Sequence, residues 1–231
     1  MNIIGILGAM PDEIALLDSK LADKREEKIG GCTFYLGTMH GKSIVLCCAG
    51  MGKVNSAAAT QLLITHFGAE AVVFSGIAGS MTGKIGIGDV VISDTVVYHD
   101  AENRMIAEAY PHMQSFKADG ALIRAAETAC ADAKVNYIVG KIATGDKFIG
   151  DAETKNAIAA ACAPDCVEME GAAVAHVAAK NDTPFVILRA MSDLADESAY
   201  DTLVVKQFDI KEYCHTAATI CADMIEQINS R

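Results

Sequence analysis

No stretch of apolar residues in this 231-residue chain approaches the ~20 that a membrane-spanning helix needs, so a membrane-embedded role is not expected. Basic residues are in deficit, 19 Lys+Arg against 30 Asp+Glu, for a formal charge of -11. A field of that sign repels phosphate backbones and anionic lipid surfaces, so neither nucleic acid nor membrane is an expected partner. It leaves a small neutral ligand open, because a few local groups decide what a pocket holds. Residues 1–7 carry neither the basic region nor the long apolar stretch of an export signal, and a cytoplasmic location is expected. Linkers rich in Pro or Ser, repeats and low-complexity tracts are missing, and the 4 prolines are scattered. One domain spanning residues 1–231 is therefore expected. The cysteines at 32, 47, 48, 130, 162, 166, 214 and 221 form no CxxC pair, and Cys162 and Cys166 have no histidine beside them at zinc-site spacing. Most are set among apolar residues, which reads as reduced core thiols rather than disulfides or metal ligands.

What the chain does have is apolar mass: 52% hydrophobic residues against 21% charged, the balance of a folded protein rather than a disordered one. Short β-rich runs alternate with longer alanine-rich helical stretches, the pattern of an α/β domain. The runs predict strands at 3–7, 33–36, 43–48, 71–75, 89–98, 137–143, 166–167 and 185–190, several apolar throughout, as strands covered on both faces should be. Helices are predicted at 12–21, 53–67, 121–133, 151–161, 171–180 and 206–229. In the last, Tyr213, Ala217, Ile220, Met224 and Ile228 recur at helical spacing and mark a buried face. Asp151 is placed to cap the fourth of these helices, and Met39-His40-Gly41-Lys42 to turn a hairpin. The hairpin makes the central sheet a mixed one, flanked by helices.

In open α/β sheets ligands gather at the carboxyl ends of strands, so the residues that follow each strand matter most. Those are Gly8-Ala9-Met10-Pro11-Asp12-Glu13, Ala49-Gly50-Met51-Gly52-Lys53, Gly76-Ile77-Ala78-Gly79-Ser80, Thr144-Gly145-Asp146-Lys147-Phe148-Ile149, Glu168-Met169-Glu170-Gly171 and Met191-Ser192-Asp193. Glycine there lets backbone amides approach a ligand closely. The familiar nucleotide motifs fail: Gly50 to Asn55 ends in Asn rather than Gly, and Lys53 precedes Val54 where a phosphate loop has Ser or Thr. No nucleophile elbow of the GxSxG type occurs. Four acids stand out, Glu13, Glu168, Glu170 and Asp193. Each alone is also explained as a solvated acid or a helix N-terminal charge. Glu168 and Glu170, however, flank Met169 in an apolar segment, where alternation puts both on one side of the chain and burial demands partners. Asp193 closes an apolar run, and a carboxyl at a buried strand end is a candidate proton donor.

Taken together, Gly8-Ala9-Met10 with Glu13, Gly50-Met51-Gly52-Lys53-Val54, Gly76-Ile77-Ala78-Gly79, Gly88-Asp89-Val90-Val91, Tyr98-His99-Asp100, Gly145-Asp146-Lys147-Phe148-Ile149, Val167-Glu168-Met169-Glu170 and Arg189-Ala190-Met191-Ser192-Asp193 resemble the 5′-methylthioadenosine/S-adenosylhomocysteine nucleosidases of the purine nucleoside phosphorylase superfamily. The resemblance implies a single α/β domain, usually a homodimer, that hydrolyses the N-glycosidic bond of adenosine thioethers with water as co-substrate and with no metal or cofactor. It implies Asp193 as the general acid for adenine N7, with Ser192 orienting it, and Glu13 as the carboxylate that activates water. By the same resemblance Glu170 holds the ribose hydroxyls, Met169 packs on the ribose, Phe148 stacks on the purine and the Ile149 backbone reads its edge. Arg189 and Glu168 are implied to surround the water and ribose, and Ala9, Met10, Met51 and Ile77 to line the site. From the residues alone, Phe148 and Met169 are equally read as core side chains.

Two departures from the family pattern are visible. Ile77 stands where relatives often carry a small hydroxyl residue, leaving only backbone groups there. The segment 101–115, which in the family comes from the neighbouring subunit to cover the 5′ substituent, is short and lacks the expected aromatics; Met105, Ile106, Tyr110, Pro111 and Met113 could build a different lid. Three rival readings share the pocket: a phosphate-dependent purine nucleoside phosphorylase, a non-catalytic nucleoside sensor, and a nucleosidase for a related nucleoside such as aminodeoxyfutalosine. The first needs cations that the loop 8–13 lacks. The second would not require paired acid and base groups.

Overall fold

The computed structural model of the protein describes residues 3–200 and 210–228. Its strands are β1 (Ile3–Gly8), β2 (Ala22–Ile29), β3 (Cys32–Met39), β4 (Lys42–Cys48), β5 (Ala71–Ser80), β6 (Val90–Tyr98), β7 (Phe116–Lys117), β8 (Tyr137–Thr144), β9 (Cys166–Glu168) and β10 (Phe185–Asp193). Its helices are α1 (Pro11–Lys20), α2 (Lys53–Thr65), α3 (Asn103–Ile106), α4 (Gly120–Ala133), α5 (Ala152–Cys162), α6 (Gly171–Lys180), α7 (Glu197–Tyr200) and α8 (Lys211–Gln227). The expected sixth helix, 206–229, is thus seen as α8; its first four residues and Asn229 lie outside the described residues.

All ten strands of the described residues belong to one mixed sheet in the order β10-β6-β8-β9-β5-β1-β4-β3-β2, with β7 beside β6. Because β10 also pairs with β5, the strands β5, β9, β8, β6 and β10 close into a ring, and β1, β4, β3 and β2 extend from it as an open wing. The β1–β4, β1–β5, β5–β10, β6–β8 and β8–β9 pairs are parallel, whereas β2–β3, β3–β4, β5–β9 and β6–β10 are antiparallel.

The apolar strands place successive side chains in two cores. Val73 of β5, Ile4 and Ile6 of β1 and Leu188 of β10 face α1, α4 and α8, meeting Leu17, Ala126 and Met224. Val72, Phe74 and Ile187 turn the other way, toward α2 and α6. Each such large side chain contributes about 1.5–3 kcal/mol by leaving water. On α6 the buried residues are Gly171, Ala172, Ala173, Val174, Ala175 and Ala178, and on α2 they are Ser56, Ala59, Thr60 and Leu63. Small side chains on both surfaces let the two helix axes approach closely. Five of the eight cysteines, Cys47, Cys130, Cys166, Cys214 and Cys221, are buried.

Local signals acted as their chemistry predicts. Asp151 accepts the Thr154 amide at 2.7 Å and starts α5. His40 and Gly41, at φ 49° and 73°, make the two-residue turn that pairs Met39 with Lys42. Four elements were not foreseen. The strand β2 is an edge strand of sequence Ala-Asp-Lys-Arg-Glu-Glu-Lys-Ile with mostly exposed side chains, so it has no apolar alternation to reveal it. Its charges protect the open edge. The remaining three, α3, α7 and β7, are each four residues or fewer.

Two corrections bear directly on the site. Gly76 to Ser80 is not a loop after the fourth expected strand; β5 continues through it, paired with Arg189 to Asp193 on one side and with Val167 and Cys166 on the other. Likewise β10 runs on to Asp193. Glycine lowers strand propensity, but pairing on both sides overrides it. A bulge at Ser192, between the Met191–Ala78 and Asp193–Gly79 pairs, re-aims the end of β10.

Candidate active site

Where the strands of the ring end, a cavity of about 420 Å³ opens. Every residue to which the family resemblance gave a place in the site lines it: Ala9, Met10 and Glu13 from the β1–α1 turn, Met51 from the β4–α2 loop, Ile77 from β5, and Phe148 and Ile149 after β8. Glu168, Met169 and Glu170 come from β9 and the turn into α6, and Arg189, Ser192 and Asp193 from β10. Glu13 and Asp193, separated by 180 positions in the chain, thus face one space. Phe148 remains 46% exposed and Met51 61%, so neither is a core side chain.

Glu13 projects from the first turn of α1 and is 1% exposed. Its carboxylate accepts the amides of Ala9 at 2.6 Å, Met10 at 3.0 Å and Ile77 at 3.0 Å. The hydroxyl missing at position 77 is therefore matched by backbone groups: the Ile77 amide serves Glu13 and its carbonyl accepts Arg189 Nη1 at 3.0 Å. Burial raises the proton affinity of Glu13 above the usual carboxylate range, while Arg189 and the three amides pull against it. Its base strength is accordingly greater than that of a solvated glutamate.

Arg189 is the centre of the charge arrangement. It is 1% exposed, and its guanidinium lies 4.3 Å from the centroid of the Phe74 ring. Nη2 donates to Glu168 Oε2 and, at 3.1 Å, to Glu170 Oε2; Nη1 lies 3.9 Å from Glu13. Burial alone would favour the neutral guanidine, but Glu168, Glu170 and Glu13 together hold its pKa above the ordinary value. Three carboxylates around one cation leave an excess of negative charge. Glu170 shows the consequence: burial and the neighbouring Glu168 outweigh Arg189 and push it up to about 7. The other Glu170 oxygen accepts the Gly52 amide at 2.8 Å.

Asp193, 6% exposed, ends β10. Ser192 Oγ donates to its Oδ2 at 2.7 Å and the Ala195 amide to its Oδ1 at 2.8 Å. Burial raises its proton affinity, and those two donors oppose the rise without cancelling it. The site therefore holds three buried carboxyls with raised proton affinity, Glu13, Glu170 and Asp193, each in different hydrogen-bonding surroundings.

The expectation that Glu168 and Glu170 share one side of the chain is met, since both reach the same guanidinium nitrogen. Sequence reasoning missed what holds these acids. Thr144 donates to Glu168, and Lys53 reaches Asp100 at 2.7 Å and Asp146 at 3.5 Å. The Asp146 side chain accepts the Lys53 amide at 2.9 Å, tying the loop of Phe148 to the loop of Gly52. The only hint was that these residues stand at strand ends. Among the described residues, none of 101–115 lines the cavity. That segment packs elsewhere: Tyr110 is 3.3 Å from both Asp182 and Lys180.

A model described as the phosphorylase superfamily matches residues 3–228. A 5′-methylthioadenosine/S-adenosylhomocysteine nucleosidase of Marinomonas sp. (strain MWYL1) is 39% identical, over 99% of this chain and 98% of that one. The chain belongs to this nucleosidase family. The fold is accordingly nucleoside phosphorylase-like, and a solved nucleosidase of the same family from Neisseria meningitidis, in complex with methylthio-immucillin-A, superposes with a TM-score of 0.91 at 32% identity, covering 99% of this chain and 100% of that one. A futalosine hydrolase of Helicobacter pylori is a further structural neighbour, with a TM-score of 0.88 at 31% identity and 98% of each chain covered. The closed ring carries Glu168, Glu170 and Asp193, and the strand of the wing that adjoins it, β1, leads into Glu13.

Proposed function

We propose that the protein hydrolyses the N-glycosidic bond of 5′-methylthioadenosine and S-adenosylhomocysteine, releasing adenine and the thioribose. The observation that carries this reading is the presence of Asp193 and Glu13 in one cavity, both buried, both with raised proton affinity, and each held by different donors. Adenine is a poor leaving group as an anion. Asp193, oriented by Ser192, gives its proton to N7 while the bond from C1′ to N9 breaks, so neutral adenine departs. A positioned acid of this kind contributes roughly 10²–10⁴-fold. The sugar passes through an oxocarbenium-like state, which the surrounding carboxylates stabilise. Water then attacks C1′ and gives a proton to Glu13, the ionised form of which is the one that accepts three backbone amides. The two acids end with their proton states exchanged, and solvent restores them.

In the same reading Glu170 binds the ribose hydroxyls, Met169 packs on the sugar and Phe148 stacks on the purine, with the Ile149 backbone at its edge. Neither metal nor cofactor is needed. The chain acts as a single domain, in the cytoplasm and as a homodimer; exposed Met51, Val54, Met105, Tyr110 and Met113 support the last of these. Phosphorolysis is disfavoured because Arg189, the buried cation of the site, is already engaged by carboxylates. The likeness to a futalosine hydrolase keeps aminodeoxyfutalosine as a second substrate to assay.

The test is incubation of the purified protein with methylthioadenosine, adenosylhomocysteine, aminodeoxyfutalosine, adenosine and inosine, with and without phosphate. Release of adenine and free thioribose at a rate independent of phosphate is expected. Ribose 1-phosphates formed in proportion to added phosphate would overturn the reading, as would binding of nucleoside with no turnover.

A further inference from the structure

Thr144 is the last residue of β8, is fully buried and pairs in register with Glu168 of β9. Its Oγ1 donates to Glu168 Oε1 and accepts the Ala172 amide at 2.8 Å. That amide is in the first turn of α6, where no helical carbonyl is available to it. The other oxygen of Glu168 accepts the amides of Glu170 at 3.0 Å and Gly171 at 2.7 Å, together with Arg189 Nη2. Glu168 thus directs both oxygens to the protein's own donors. Glu168 lines the cavity, and its bonds reach Arg189 as well as the start of α6.

We propose that Thr144 is a positioning residue for the hydrolytic site, acting through Glu168 on the Arg189 guanidinium and so on Glu170 and Glu13. The inference rests on the hydrolase reading above. Its physical basis is a set of five buried side chains, Thr144, Glu168, Arg189, Glu170 and Glu13, each with a stated partner. The Thr144 hydroxyl fixes one oxygen of Glu168, and the other oxygen shares Nη2 of Arg189 with Glu170, 3.1 Å away. Nη1 of the same guanidinium sits on the Ile77 carbonyl beside Glu13. Removing the hydroxyl leaves a carboxylate oxygen and a helix-start amide without partners in a place closed to solvent. Each such group carries a substantial desolvation penalty, and Glu168 must turn to relieve it. Arg189 follows its strongest partner, and Glu170 and Glu13 lose their placement. A misplacement of about 1 Å lowers rate by about 10²-fold.

A merely structural hydroxyl, capping α6, predicts something different. Its loss would lower the fraction of folded enzyme and hence the apparent kcat, with KM unchanged. Positioning moves both constants, because Glu170 holds the sugar in the ground state and Glu13 acts at the transition state. The groups that face Glu168 are Arg189 from β10, Glu170 from the turn, Cys166 from its own strand, and Tyr98 and His99 from the end of β6. No second cation among these can replace Arg189 as a partner at neutral pH, since burial lowers the pKa of His99.

The experiment compares Thr144→Val, which keeps the shape and deletes the hydroxyl, with Thr144→Ser, which keeps the hydroxyl. Steady-state hydrolysis of methylthioadenosine is measured and normalised to folded protein from a circular-dichroism melt. For Thr144→Val, a rise in KM of about 10-fold and a fall in kcat of about 10-fold are expected, together the 10²-fold above. Thr144→Ser should stay within about 3-fold of the wild type in both. An unchanged KM in Thr144→Val, or a serine variant as impaired as the valine one, overturns the proposal. If the valine variant does not fold, Thr144→Ala is read in the same way. If the wild type releases no adenine, the hydrolase reading fails by itself. Calorimetric Kd values for methylthioadenosine then decide the positioning role: weaker binding in the valine variant supports it and equal binding refutes it.

Discussion

Gly76→Ala tests the packing logic of the site with one methyl group. A Cβ built on Gly76 would sit 2.5 Å from both Arg189 Nη1 and Glu13 Oε1. Ordinary contact begins at 3.4 Å, so these two groups must retreat by about 0.9 Å. Neither has room, for both are 1% exposed, the guanidinium lies against Phe74, and Glu13 is held by three amides. Overpacking of this kind destabilises by about 1–3 kcal/mol. For a chain of this length that lowers Tm by about 2–12 °C. The functional loss should be larger, because a displacement near 1 Å at reacting groups lowers kcat/KM by about 10²-fold. Gly83→Ala is the control, since nothing lies within 4 Å of its added Cβ. The assay is adenine release from methylthioadenosine at 25 °C, with melting followed in parallel. A Gly76→Ala enzyme with kcat/KM within about 3-fold of the wild type would show that the placement of Glu13 and Arg189 does not matter to the reaction.

Other outcomes follow from the same geometry. Asp193→Asn should lower kcat by roughly 10²–10⁴-fold while nucleoside binding, measured by calorimetry, changes little. In the pH profile of kcat/KM, activity falls on the acid side as Glu13 takes up a proton and on the alkaline side as Asp193 loses one; burial raises both carboxyls, so the optimum lies above the ordinary carboxylate range, and an optimum below pH 4 would contradict this. Glu170, moved from 4.5 to about 7, is a group whose protonated form the fold prefers. Its contribution to stability is therefore complete below pH 4.5 and is lost as pH rises through about 7, a difference of about 3 kcal/mol. Glu170→Gln should accordingly melt higher than the wild type at pH 8 and show little advantage at pH 4, by scanning calorimetry. Lys53→Met removes the Nζ contacts to Asp100 and Asp146 but leaves the backbone amide that Asp146 accepts; a partly exposed pair contributes only about 0.2–1 kcal/mol, so KM should rise by less than about 6-fold with kcat nearly unchanged.

The amino-acid pattern determined the alternation of strands and helices, because apolar runs bounded by glycine and polar residues admit few other foldings. It also marked the acids, since Glu168 and Glu170 in an apolar segment demand partners wherever the chain folds. The partner itself was another matter. Arg189 stood in the quoted motif with only a loose role, and its place among Glu13, Glu168 and Glu170 depends on β10 lying parallel to β5 and closing the ring, a pairing between residues over 100 positions apart. The continuation of β5 through Gly76 and Gly79 escaped the sequence for the same reason: local propensity opposes a strand there, and only neighbours on both sides impose one. Thr144 was visible as a strand-end residue but had no evident task until β8 and β9 came into register. Residue types and local spacing thus declared which groups could do chemistry. Proton affinities, and the choice of anchor or reactant among four similar acids, were decided by burial and by the donors that the closed sheet brings to each.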